Sequence, residues 1–157
     1  MTVLVAGIGN LFGSDDGFGP EVVRRMGARA GDDVRVVDYG IRGMHLAYDL
    51  LDGYDALVIV DAVPHGEPGE ITVLEVGPDD LGADDFDPHG MNPVAVLASL
   101  STLGGTLPPT YVVGCRPAST ADGIGLGAAV AAAVPRAVET VDRLLDRLLR
   151  ADVPQEA

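Results

Sequence analysis

Five short runs of apolar, largely β-branched residues set the fold class of this chain: "VLVA" (3–6), "VRVVD" (34–38), "ALVIVD" (56–61), "ITVLEV" (71–76) and "TYVVGC" (110–115). Runs of this length, bounded by Gly, Asp or Pro, suit strands covered on both faces. Helix-length spacers follow most of them, which predicts an α/β sandwich on a mainly parallel sheet. One spacer breaks the pattern. Only "AVPHGEPGE" separates Asp61 from Ile71, too short and too rich in Pro and Gly for a crossover helix. The fourth strand is therefore expected to run antiparallel to the third.

Helices are predicted over Gly17–Ala30, Gly43–Leu51, Asn92–Leu103 and Ile124–Arg150. In the last, Val130, Val134, Val138, Val141, Leu145 and Leu148 form one apolar stripe. Pro135 is expected to kink that helix or to mark its true start. No repeat or interdomain linker interrupts the chain, so residues 1–150 are expected to form one domain and 151–157 a flexible tail. With 47% hydrophobic residues and no tryptophan, the core must come from Val, Leu, Ile and Ala.

A formal net charge of −14 argues against nucleic acid and anionic membranes as partners. The lone Cys115 excludes an internal disulfide and fits a reducing cytoplasm. "MTVLVAGIGN" has neither a basic leader nor a spanning apolar run, so a cytoplasmic protein is expected.

The stretch "GIGNLFGSDDGFGP" (7–20) joins the first strand to the first helix. A dinucleotide fingerprint would need a third glycine where Phe12 stands; Gly13 comes one residue late. Asp38 imitates the acid that would bind a ribose hydroxyl. Asp15 and Asp16 nevertheless lie where a phosphate would sit, with no Lys or Arg before Arg24 to offset them. A like-charge pair at that range costs on the order of 1 to 4 kcal/mol. The plainest alternative is that both aspartates cap the helix and complement its dipole.

Asp61 closes a buried run at the carboxyl edge of the sheet, where α/β proteins place their sites. The loop after the first strand opens on the same edge, so Asp16 and Asp61 can converge there. The long acidic segment 77–91 then brings "DPHGMNP", with His89 ahead of the third helix. Two carboxylates and an imidazole make a partial shell for nickel, zinc or manganese. Asp61 could instead cap a turn, and His89 could be an ordinary surface histidine. His45 and His65 are expected to be solvated and Cys115 to be a small core residue.

Taken in order, "GIGNLFGSDDGFGPEVV", "DYGIRGMHL", "LVIVDAV", "PHGMNPVAVL" and "VVGCRP" resemble the hydrogenase maturation endopeptidases, which trim the large subunit of [NiFe]-hydrogenases. The resemblance runs from about residue 3 to the final helix. It implies a three-layer α/β/α fold with a five-stranded mixed sheet, mostly parallel with one antiparallel strand. It implies that Asp16, Asp61 and His89 contact nickel, for which other divalent ions can substitute in crystals. Asp16 is the better candidate for a general base; the alternative is that these residues only grip the metal while another group assists the water. Asp38, Gly40 and Gly43 would line the cleft for the substrate. The partner implied is the hydrogenase large-subunit precursor, arriving with nickel inserted and leaving without its C-terminal extension. A non-catalytic metal- or precursor-binding chaperone and a nucleotide-binding oxidoreductase stand as the alternatives.

Overall fold

Strand order in the sheet is β2-β1-β3-β5-β4, with β1 Val3–Ile8, β2 Val34–Gly40, β3 Ala56–Ala62, β4 Ile71–Val76 and β5 Thr110–Cys115. The computed structural model describes residues 2–27, 33–41, 43–76, 100 and 103–151, with 43, 44 and 151 described in backbone only. The acidic segment 77–91 with His89, nearly all of the predicted third helix and the tail 152–157 lie outside the described residues.

Strands β2, β1, β3 and β5 run parallel, and β4 runs antiparallel to β5. The short fourth connection thus has the predicted effect: β4 opposes the direction of β3. It does not pair with β3, because β5 lies between them. Alternation along each strand feeds two cores. On one face, Val3, Val5, Val58, Val60 and Val113 pack with helix α1 (Phe18–Met26) and helix α3 (Ala128–Ala151). On the other, Leu4, Ala6, Leu57, Ile59 and Val112 pack with Leu46, Ala47 and Leu50 of helix α2 (Gly43–Leu50). The result is the three-layer α/β/α sandwich with a five-stranded mixed sheet.

The valine stripe of α3 is buried as its period requires: Val130, Val134, Val141 and Leu145 are in the core, with Val138 and Leu148 packed at its margin. The helix starts at Ala128, not Ile124, and runs through Pro135. Gly127 O accepts the Ala131 N–H at 2.8 Å just ahead of the helix, so Pro135 lies inside it and does not mark its start. No described helix is long and apolar enough to cross a membrane.

One contact sets where α1 begins. A Cβ on Gly19 would lie 2.2 Å from Val60 O and 2.4 Å from Ile8 O. Only a bare backbone lets the helix sit against the carboxyl ends of β1 and β3 at once. That approach brings the preceding turn over the switch point between these strands.

Candidate active site

From Ile8 the chain passes through the glycine loop into a 3-10 turn, Ser14–Gly17, which leads directly into α1. The turn carries Asp15 and Asp16 and packs against β3. Gly9 has φ of +151°, and a Cβ there would lie 1.9 Å from Asp16 O. The loop is therefore folded tightly back on the turn, and the half-buried Asp16 accepts the Asn10 N–H at 3.0 Å through Oδ2. An N–H that a nucleotide fingerprint would offer to phosphate is already taken by the protein's own carboxylate.

Asp61 lies one strand away. It is the penultimate residue of β3, 7% exposed, and pairs in register with Gly114. Its Oδ1 accepts the Ala62 N–H at 2.8 Å. Since β1 and β3 are parallel neighbours, the turn after β1 and the end of β3 share one carboxyl edge. Asp16 and Asp61 are brought to that edge together. His89, the third proposed donor, lies outside the described residues, and no three His, Cys, Asp or Glu gather into a metal-holding group among those that are described.

The end of β2 joins the same edge. Gly40 O accepts the Gly9 N–H at 3.0 Å, and Asp38 Oδ1 accepts the Gly40 N–H at 2.8 Å. Strand β2 bulges here, since Asp38 pairs with Gly7 and Gly40 with Ile8. Gly43 opens α2 two residues after Ile41. Asp38 and Gly40 thus flank the glycine loop on the side away from β3, and Gly43 follows at the start of α2. His45 is exposed, as expected, whereas His65 is half-buried.

Helix capping is not what the two aspartates do. The residues capping the 3-10 turn and α1 are Gly13 and Gly17, and no side chain bonds at either cap. Asp15, only 2% exposed, instead accepts three backbone N–H groups from a distant segment. Its Oδ2 takes Ala118 at 2.8 Å and Ser119 at 3.1 Å, and its Oδ1 takes Gly127 at 2.7 Å. Ser14 adds two bonds of its own, N–H to Gly123 O at 3.0 Å and Oγ–H to Ala121 O at 2.7 Å. It does so at a φ of +53°, the one non-glycine residue in the left-handed region among those described. Such a backbone costs on the order of 1 kcal/mol or more and is held by these bonds. Segment 116–127, whose bonds to the turn sequence reasoning did not foresee, is therefore a wall beside it.

Replacing Asp15 by Ala leaves three N–H groups without their acceptor. A charged hydrogen bond is worth about 1.5–3 kcal/mol, so a loss of about 3–5 kcal/mol is expected after water re-enters. Urea unfolding checks it. The variant should also show faster amide exchange at Ala118, Ser119 and Gly127 than elsewhere in the sheet. Below Asp15, Cys115 is fully buried; burial first, and then the Asp15 charge, push its thiol up to about 11. It is a neutral core residue at physiological pH, as predicted, and no nucleophile.

The family model for hydrogenase maturation proteases (HycI) matches residues 20–143. The chain belongs to the hydrogenase maturation proteases. It is 32% identical over 149 residues to the hydrogenase expression/formation protein HupD of Rhizobium leguminosarum bv. viciae, covering 91% of this chain and 73% of that one. With the hydrogenase 2 maturation protease of Escherichia coli it shares 29% identity, over 100% of this chain and 98% of that one. Its structure superposes on the hydrogenase maturating endopeptidase HybD from E. coli with a TM-score of 0.81 at 29% identity, covering 94% of this chain and 93% of HybD. The protein is accordingly a peptidase with the mixed-sheet fold of this family. The alternatives of a non-catalytic chaperone and a nucleotide-binding oxidoreductase give way to that membership.

Proposed function

We propose that this maturation protease removes the C-terminal extension of a [NiFe]-hydrogenase large-subunit precursor after meeting the nickel that the precursor carries. The observation that supports this most is the pair Asp16 and Asp61 at one carboxyl edge, on a chain of this family. Two carboxylates drawn together repel and favour a cation between them. With His89 they make an oxygen- and nitrogen-donor set that suits nickel but leaves coordination positions over. A shell so incomplete would hold free metal weakly and would bind well where the substrate supplies metal and further ligands. Nickel is then part of the substrate, and its presence licenses the cut.

In this reading Asp16, Asp61 and His89 grip the ion, and Asp16 also acts as general base toward the attacking water. Asp38, Gly40 and Gly43, across the glycine loop, line the entry for the precursor's terminal segment. The work is done in the cytoplasm, before the large subunit is closed. The test is direct. Purified protein is mixed with nickel-loaded and nickel-free precursor, and both are followed by intact-mass spectrometry. A C-terminal mass loss confined to the nickel-loaded form is expected; equally fast cleavage of the nickel-free form would overturn the nickel requirement.

A further inference from the structure

The two edges of the sheet are finished differently. Strand β2 bulges where Asp38 and Gly40 pair with consecutive residues of β1, one of the devices that keep an edge from pairing further. Strand β4 has no such device. Its register with β5 runs unbroken from Ile71↔Cys115 to Val76↔Thr110, it holds no Pro or Lys, and nothing pairs with its other edge among the described residues. Arg116 N–H donates to Glu70 O at 3.2 Å. Alternation along an antiparallel ladder then turns the main-chain groups of Thr72, Leu74 and Val76 toward β5 and those of Ile71, Val73 and Glu75 outward.

Helix α3 borders that open edge with charge. Arg136, Arg143, Arg147 and Arg150 follow at i, i+7, i+11 and i+14, one stripe of the helix. The stripe spans about 21 Å and the six residues of β4 about 20 Å. Arg136 donates to Gly69 O at 3.4 Å, just ahead of β4, so stripe and strand start together. Between them lies a groove of about 520 Å³, floored by Val73 and Leu144 and rimmed by Arg143, Arg147 and Arg150. Glu139 takes the charge of Arg143. Arg147 and Arg150, both exposed, form no ion pair among the described residues. Asp146 is the one acid in the groove's lining, and Glu75, the strand's one charge, lies outside it. On a chain of net charge −14, the sign is reversed here.

These features select the occupant. Outward main-chain groups in series are satisfied by an extended segment laid along the edge. Guanidiniums over one face of that edge favour carboxylates at every second position of the added strand. At physiological ionic strength fields reach about 8 Å, so the nearby arginines outweigh acids elsewhere on the surface. A second copy of this chain is a poor occupant: pairing antiparallel through β4 would set two arginine stripes against each other on one face of the joint sheet, and would bring −14 to −14. The edge also leads to the proposed centre. Ile71 pairs with Cys115, next to Gly114, the partner of Asp61, so one end of an added strand lies at the carboxyl edge.

We infer that β4 is a docking edge for an extended acidic segment of the precursor, which joins the sheet as a sixth strand with alternate carboxylates against Arg147 and Arg150. This rests on the function proposed above, and it names a contact remote from the bond to be cut.

Hydrogen exchange reads the added strand directly: the amides of Ile71, Val73 and Glu75 should slow at least about ten-fold in the complex with nickel-loaded precursor. Arg147→Gln combined with Arg150→Gln alters two exposed side chains and should keep the parental urea midpoint. For that precursor its KM, and its dissociation constant by calorimetry, are expected to rise about five- to ten-fold while kcat stays within about two-fold. Its binding should depend less on salt than the parent's, and the matching pair of Lys substitutions should stay close to the parent. If the parent cuts the precursor and the glutamine variant matches it in KM, affinity and salt dependence, the docking edge is overturned while the function stands. Unchanged exchange at the three amides in the complex overturns it equally. If the parent binds without cutting, the proposed function fails while the affinity arm still reads the edge; no binding at all overturns both. A parental dimer in sedimentation that Val73→Pro disperses would give the edge to a second copy and overturn the assignment.

Discussion

Asp16→Asn leaves the nickel-loaded precursor bound but cuts it about 100- to 10,000-fold more slowly, the usual worth of a positioned general base. The substitution is chosen because it keeps the local structure. Asn Oδ1 can still accept the Asn10 N–H that Asp16 holds at 3.0 Å, so the glycine loop stays folded on the turn. What disappears is the negative charge and the capacity to take a proton. Affinity for the precursor and the rate of C-terminal mass loss are measured on the same preparation. Loss of both together would mean that Asp16 only grips the metal and that another group assists the water. Asp61→Asn is the natural comparison, since its buried carboxylate on β3 is assigned to grip alone. There binding itself is expected to weaken.

Gly19→Ala is expected to be among the most damaging single methyl groups at the described glycines. Its new Cβ would stand 2.2 Å from Val60 O and 2.4 Å from Ile8 O, both main-chain atoms of the two central strands. Neither can yield without breaking the pairing of β1 with β3. The alternative is for α1 to lift, which exposes Phe18, Val22 and Val23 from the core. Overpacking of this kind costs about 3 kcal/mol or more. Urea unfolding should show it. Whatever folded protein remains should also lose activity, because the turn holding Asp16 moves with the helix. A fully active variant of parental stability would mean that the strand ends are not what limits this helix.

Much of the architecture was legible because its signals are local. β-branched runs bounded by Gly and Asp mark all five strands, and nine residues rich in Pro and Gly between Asp61 and Ile71 foretell the reversed one. Asp61 was visible as a charge ending a buried run. Sheet order was harder: β5 inserts between β3 and β4, a choice made by packing over long range. The start of α3 was misplaced by four residues although Gly125 and Gly127 lay in the way, and both are poor helix formers. Asp15 was the chief loss. Nothing near it in the chain shows that its acceptor oxygens serve Ala118, Ser119 and Gly127, so helix capping looked sufficient. The proposed metal trio was suggested by its place at the sheet edge and specified as a nickel site by the resemblance; its histidine lies outside the described residues.

The same carboxylate bears on how the enzyme comes into being. Asp15 is synthesised well before its hydrogen-bond partners, which lie 103 to 112 residues further along. Contacts of such separation form late, after much loop entropy has been surrendered. A nascent chain that has emerged only as far as β3 already owns both acidic side chains of the proposed centre but not the wall beside them. The turn that carries Asp16 therefore gains its supporting wall only once residues 118–127 have been made and have docked on Asp15.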